Sequence, residues 1–265
     1  MAYKKDKQAS HERYHVPNLK RGLEVFELLA KNPDGLTLPD ISKISSYSKS
    51  SIFRILCTLE DCGYVAKNRD ERTFRMSRKL AALGYAAFGE SNIVEKSMDI
   101  LRRMRDKLGE TAMLGTMLDD ACVMIEQSPG TQPFKFLGEI GMRIAFHASA
   151  PGKAMLAFLP KDEADRKIKK IKFQKYNKNT IVEKRAFLAE LQRVKECGYA
   201  FDKGEEIEGV NCVGAPILDA HGYPVAAIWI TGPRERIKTE QLDEVGRVVK
   251  SFADQISARL GYGLL

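Results

Sequence analysis

The sequence predicts an α+β protein with an N-terminal winged helix-turn-helix, a linker helix and a larger α+β domain on an antiparallel sheet. Three observations predict it. Between Leu36 and Met76, two short amphipathic helices lead into a basic β-hairpin. After Gly109 the apolar residues stop recurring at helical spacing and come in short strand-like runs. Those runs are flanked by helices, which favours an α+β domain with an antiparallel sheet. At 265 residues, two domains are natural and each can bury a core.

Residues 1–16 read as a hydrophilic, disordered tail in which His11 and His15 are solvated. A helix is expected from Leu19 to about Lys31, with Leu19, Leu23, Phe26, Leu29 and Ala30 on its apolar side, and Asn32-Pro33-Asp34-Gly35 stops it. Thr37 can cap the next helix, Pro39 suits its first turn and Asp40 complements its dipole. That helix should reach Ser45 or Ser46 and bury Ile41 and Ile44. After a turn at Tyr47, Ser48 caps a helix in which Ile52, Ile55, Leu56 and Leu59 form one apolar stripe. Lys49, Ser50, Ser51, Phe53 and Arg54 fall on the opposite face or at its N-terminal end, where a recognition helix meets base edges and phosphates.

Gly63 ends this helix, and Tyr64–Arg69 can pair with Arg72–Met76 around an Asp70-Glu71 turn. Phe74 and Met76 share one face of that hairpin, while Arg69, Arg72 and Arg75 gather at the wing for an adjacent phosphate or minor groove. Serine-rich helix starts and scattered arginines are common singly; their ordered combination points to double-stranded DNA. Charge agrees. Residues 1–90 carry 16 basic against 11 acidic side chains and residues 91–265 carry 27 against 24, so about a third of the chain holds most of the +8 excess. The expected divisions are the tail, a DNA-binding domain over residues 17–77, a linker helix over 78–91 and a second domain over 92–265.

In the second domain, the spacing predicts a helix from Ile93 to Leu108 and a hairpin of Ala112–Leu118 with Ala121–Glu126. Short strands are expected at Phe134–Ile140 and Arg143–His147, then a helix from about Ala150 to Pro160 and two polar helices, Lys161–Ile171 and Glu183–Cys197. Tyr199–Asp202, Cys212–Leu218 and Pro224–Ile230 read as further strands, and a long helix from Thr239 to about Leu260 closes the chain.

Five widely spaced cysteines without a Cys-x-x-Cys fit a reducing cytosol, and no apolar run is long enough for a membrane span. Catalysis finds little support. Gly152-Lys153 lacks the upstream glycine of a phosphate loop, since His147 stands there. Ser149 with His147 makes no nucleophile–base relay, and His147 reads as a half-buried structural residue. Four scattered histidines build no metal site, and no cofactor is called for. Binding is better supported. Small residues from Ala148 to Gly152 open a helix whose free N–H groups favour an anion such as a carboxylate, although a tight strand-to-helix turn explains them equally well. Asp202, Glu205, Glu206 and Glu208 can offer acceptors to ligand hydroxyls, though such acid runs are commonly solvated loops. Trp229, the sole tryptophan, sits on an alternating strand where core packing is its default role.

From Val16 onward the chain resembles the IclR-type bacterial transcriptional regulators. The likeness rests on Leu19–Val25, Ser50–Leu56, His147–Ala154, Gly198–Asp202, Gly209–Ile217 and Ile230–Pro233, in the family's order. The resemblance implies an N-terminal winged helix-turn-helix, a linker helix and a C-terminal GAF-like effector-binding domain. It implies a homodimer or homotetramer that regulates a catabolic operon, commonly as a repressor, in response to a small organic acid. Carried over by position, it implies backbone donors at Ala150 and Pro151, polar lining at Asp202, Cys212 and Thr231, and an apolar wall of Phe136, Ile144 and Val210. Two residues depart from the pattern. Pro151 has no N–H, so one expected donor is missing and Gly152 must supply it or nothing does. Trp229 stands where a small hydroxyl residue is common, and it either shrinks the pocket or stacks on a flat or sugar-like ligand.

Overall fold

The computed structural model describes residues 16–68, 70–80, 83 and 93–263. The chain divides into two compact units, Met1–Glu90 and Ser91–Leu265. Residues 1–15 of the expected tail and most of the expected linker helix lie outside the described residues. Among the described residues no helix is long and apolar enough to cross a membrane.

The first unit contains α1 (Pro17–Ala30), β1 (Leu36–Thr37), α2 (Leu38–Ser45), α3 (Lys49–Asp61), β2 (Val65–Asn68) and β3 (Thr73–Met76). Both expected caps form. Thr37 Oγ1 accepts the Asp40 N–H and Ser48 Oγ accepts the Ser51 N–H, so each satisfies an orphan donor of its helix's first turn. The wing is antiparallel, with Lys67 opposite Phe74 and Asn68 opposite Thr73. A third strand that sequence pattern did not reveal, β1, pairs Leu36 with Phe74 and so ties the start of α2 to the wing. Val25, Leu29, Ile41, Ile52, Leu56, Val65 and Phe74 make the core.

Two expectations about this core fail. On α1 the inward face is Gly22, Val25 and Leu29, whereas Leu19 and Leu23 are 62% and 53% exposed. The stripe is rotated because Val25 and Leu29, four apart, face α2 and α3 together. On α2, Ile44 is 56% exposed. The helix ends one residue later, where Ser46 turns the chain left-handed (φ 60°).

The second unit begins with α4 (Ile93–Leu108), followed by β4 (Thr111–Leu118), β5 (Ala121–Ser128) and β6 (Arg143–Ala145). Next come α5 (Ala150–Phe158), α6 (Lys161–Lys170), α7 (Lys184–Cys197), β7 (Ala200–Lys203), β8 (Val210–Leu218) and β9 (Pro224–Pro233). A single 3-10 turn, Thr239–Gln241, leads into α8 (Leu242–Arg259). The six strands form one antiparallel sheet in the order β6-β5-β4-β9-β8-β7. Strand alternation gives the sheet two apolar faces. Ala112, Leu114, Val213, Ala215, Ile228 and Ile230 pack with α4 and α8 on one side. Met113, Cys122, Met124, Ala227 and Trp229 pack with α5 and α7 on the other.

Phe134–Ile140 is not a strand. No neighbouring strand pairs with it: Gln127 exchanges both amide hydrogen bonds with Gly138, Arg236 donates to the Phe134 carbonyl, and the Glu139 carbonyl accepts the Met142 N–H in a turn. The following strand starts at Arg143 as expected but stops at Ala145, whose carbonyl accepts from Ser149 Oγ at the start of α5.

Candidate nucleic-acid interface and ligand cavity

On the first unit, capping places the start of α3 outward. Lys49, Ser50 and Arg54 are exposed, Ser51 is half-buried, and Phe53 keeps 48% of its surface in solvent. The turn before α3 is held by Tyr47, whose hydroxyl donates to Glu24 Oε2 of α1 at 2.5 Å while Arg21 lies over its ring. This contact aims the helix, because Tyr47 stands one residue ahead of the cap. Ser50, Ser51 and Arg54 line an open groove that runs between α3 and Leu19, Leu23 and Phe26 of α1. Lys49 and Phe53 are not among the residues lining this groove. Arg72 and Arg75 are exposed on the wing, and Arg72 takes a left-handed φ of 54° at its tip. Arg69 lies outside the described residues.

In the second unit a cavity of about 150 Å³ opens on the α5 side of the sheet. Strand register explains its lining. Asp202, Cys212 and Thr231 are direct neighbours across β7, β8 and β9, and they form one polar row. Two residues along, Gly214, Trp229 and Met113 form the next row. Gly214 lets the start of α5 approach the sheet closely there: a Cβ would sit 3.2 Å from Ala150 C, Pro151 N and Trp229 Cβ. Phe136, Ile144, Pro151 and Val210 complete the wall alongside Asp202, Cys212, Trp229 and Thr231. Leu137, Met142 and Ile207 form an exposed apolar rim.

Ala150 and Gly152 are not in that lining. Ala150 is fully buried against Val194 and Ala200. The Gly152 N–H already donates to Ser149 Oγ, and a Cβ at Gly152 would come within 2.6 Å of Phe146 Cα. This glycine serves close packing of helix on strand, so the backbone donor expected from it is spent within the fold.

The electrostatics of the cavity are acidic. Burial pushes the Asp202 carboxyl up to about 7, and the neighbouring carboxylates Glu205 and Glu206 push the same way. Burial also raises Glu206. The Cys212 thiol is pushed well above its ordinary range by burial and then by Asp202, which keeps it protonated and inert. Asp202 Oδ1 accepts the Glu205 N–H at 2.6 Å and so shapes the loop after β7. That loop is further pinned by Asn177, whose amide reaches the Gly204, Glu205 and Glu206 carbonyls, and by Thr180. Behind it, Lys153 Nζ and Glu205 Oε1 form a 2.6 Å ion pair with side chains 0% and 6% exposed.

His147 is fully enclosed rather than half-buried: Nε2 bonds the Gln174 carbonyl and the ring stacks on Tyr176. All five cysteines are free thiols. No group of three potential metal ligands occurs among the described residues.

Residues 18–69 match the helix-turn-helix domain of the IclR family, and residues 85–258 match the C-terminal domain of bacterial IclR transcriptional regulators. The chain belongs to the IclR family. It is therefore a DNA-binding transcriptional regulator and not an enzyme. Among its relatives, the HTH-type transcriptional regulator KdgR of Escherichia coli K12 is 30% identical over 245 residues, 91% of this chain and 92% of that protein. The DNA-binding transcriptional repressor YiaJ of the same organism is 29% identical over 265 residues, covering 99% of this chain and 92% of YiaJ. The IclR of Thermotoga maritima superposes with a TM-score of 0.72 at 31% identity, over 94% of this chain and all of that one.

Within this IclR-family fold, sequence reasoning missed several residues at the cavity. Met113 lines it because it sits on the α5 side of β4, Ser149 because it caps α5, and Leu137, Gly138, Met142 and Ile207 because irregular loops fold over it. No periodic signal marks loop residues. Glu206 was legible as an acceptor, but nothing in its acid run separates it from Glu208, which is exposed and paired with Lys178.

Proposed function

We propose that this IclR-family regulator represses a catabolic operon as a symmetric homodimer or homotetramer and is controlled by a small organic effector. Residues 17–77 bind the operator, residues 78–91 link the units, and residues 92–265 hold the effector. In this reading Lys49, Ser50, Ser51, Phe53 and Arg54 face the major groove, while Arg69, Arg72 and Arg75 meet flanking phosphates or the minor groove. The observation that carries it is the Ser48 cap, which leaves polar and basic residues exposed on α3 beside an exposed arginine wing. The effector half rests on the cavity behind β7, β8 and β9. The small organic acid that the resemblance implies is one such effector class.

Footprinting on the DNA flanking its own gene tests the operator reading. A protected pseudo-palindrome with half-sites a whole number of turns apart is the expected result. Arg54→Ala weakens that protection. Arg75→Ala lowers the slope of log affinity against log salt by about 0.9 if it neutralises one phosphate. Uniform binding to any DNA, with both variants unchanged, refutes sequence-specific recognition by this face.

A further inference from the structure

The cavity offers acceptors and almost no donors. Its lining contains two carboxyl groups, Asp202 and Glu206, and no Lys, Arg or His. The buried cation behind it, Lys153, lies outside the lining and is engaged by Glu205. Donors at the start of α5 are spent too. Ser149 Oγ donates to the Ala145 carbonyl, the Gly152 N–H is taken by Ser149, and Pro151 has none. Thr231 Oγ1 has only soft neighbours here, Cys212 Sγ at 3.4 Å and Met113 Sδ at 3.8 Å. Asp202, 5% exposed, spends Oδ1 on the Glu205 N–H, and its further neighbour is the Cys212 thiol, a weak donor.

We infer that the cavity binds a compact, ring-sized molecule with an apolar body and a hydrogen-bond donor, an amine or an alcohol, and that it rejects an ionised carboxylate. This rests on the reading that the cavity is the effector site. Size sets the first half: about 150 Å³ is a volume that accommodates benzene. Trp229, Met113, Phe136 and Ile144 present the apolar wall for the body. Charge sets the second half. An ionised ligand carboxylate adds to Asp202 and Glu206 in a poorly solvated site whose nearby cation, Lys153, is already engaged by Glu205. An amine or hydroxyl instead gains a charge-assisted bond to Asp202 or Glu206.

Proton balance supplies a second signature. Asp202 titrates near neutrality, facing Glu205 and Glu206 on its own loop, Lys153 of α5 and Cys212 of β8. A donor ligand is served best by the ionised carboxylate, so its affinity rises with pH across neutrality. A carboxylate ligand needs the protonated acid as its donor, so its affinity falls.

The full-length protein can be titrated with three near-isosteric probes, benzylamine, benzyl alcohol and benzoate, while Trp229 fluorescence is followed. The sole tryptophan lies in the cavity wall, so only this site is read. The expected result is that benzylamine or benzyl alcohol binds at least about tenfold more tightly than benzoate at neutral pH. Asp202→Asn is expected to cut the advantage of benzylamine over benzoate about fivefold, and Glu206→Gln serves as an independent second variant. Benzoate binding as well as or better than the other two, and strengthening as pH falls, overturns this inference while leaving effector control intact. Failure of all three up to about 50 mM overturns the cavity as an effector site and this inference with it.

Discussion

Replacing Lys153 with Met removes the positive half of an ion pair that water does not reach. Lys153 Nζ and Glu205 Oε1 are 2.6 Å apart, and their side chains are 0% and 6% exposed. Glu205 Oε2 already has no hydrogen-bond partner, and its backbone N–H is bound by Asp202, so the loss strands one carboxylate beside another. Breaking such a pair by removing one partner costs about 3–5 kcal/mol, whereas replacing both with apolar groups is often close to neutral. Urea unfolding read by tryptophan emission isolates the effect, because Trp229 is the only tryptophan and belongs to the second unit. With a denaturant slope of about 2 kcal/mol per molar, the Lys153→Met midpoint falls by about 2 M. Lys153→Met with Glu205→Leu recovers most of that shift. A single-variant shift below about 0.5 M, or a double variant no better than the single, refutes the argument that the pair is desolvated and mutually dependent.

Two further predictions concern stability. Asp202 keeps its proton up to about 7 in the folded chain against an ordinary 3.8, so the native state binds more protons than the unfolded chain between those values. Stability of the second unit therefore declines as pH rises from about 4 to about 7, by up to roughly 4 kcal/mol, and Asp202→Asn flattens that decline. A wild-type midpoint independent of pH in that window removes Asp202 as a buried acid. In the first unit, Ser48→Ala forfeits the cap on the Ser51 N–H and costs about 1 kcal/mol, which is expected as faster hydrogen exchange in the first turn of α3. Unchanged exchange there means that Tyr47 and the core hold α3 without the cap.

Much of the first unit was legible because its signals are local. Thr37 and Ser48 each bond a backbone N–H three residues on, and chemistry of that range is written in consecutive letters. The buried face of α1 was less so. Leu19, Leu23 and Phe26 form as good a stripe as Val25 and Leu29, and only the positions of α2 and α3 choose between them. In the second unit, turn residues and alternation marked most strands within a few positions. Phe134–Ile140 looked extended and apolar, but strand identity depends on a partner strand, and this segment found side chains and a turn instead.

The candidate cavity divides in the same way. Its polar row was readable as individual letters at Asp202, Cys212 and Thr231, and the resemblance grouped them. Their adjacency came from the register of three strands distant in the chain. Gly152 shows the reverse: from sequence it stood as a donor to a ligand, whereas packing against Phe146 and the Ser149 cap consumed it.

By itself, then, the sequence determined the helix caps, the basic wing, the alternation of the sheet and the family, because these depend on spacing along the chain. Tertiary structure alone decided that Lys153 is buried and spoken for, that no cation lines the cavity, and that its polar wall is acidic. Charge in a site is a sum over side chains brought together from β7, β8, β9 and their loops, and desolvation, which sets what that sum costs, exists only once they have met.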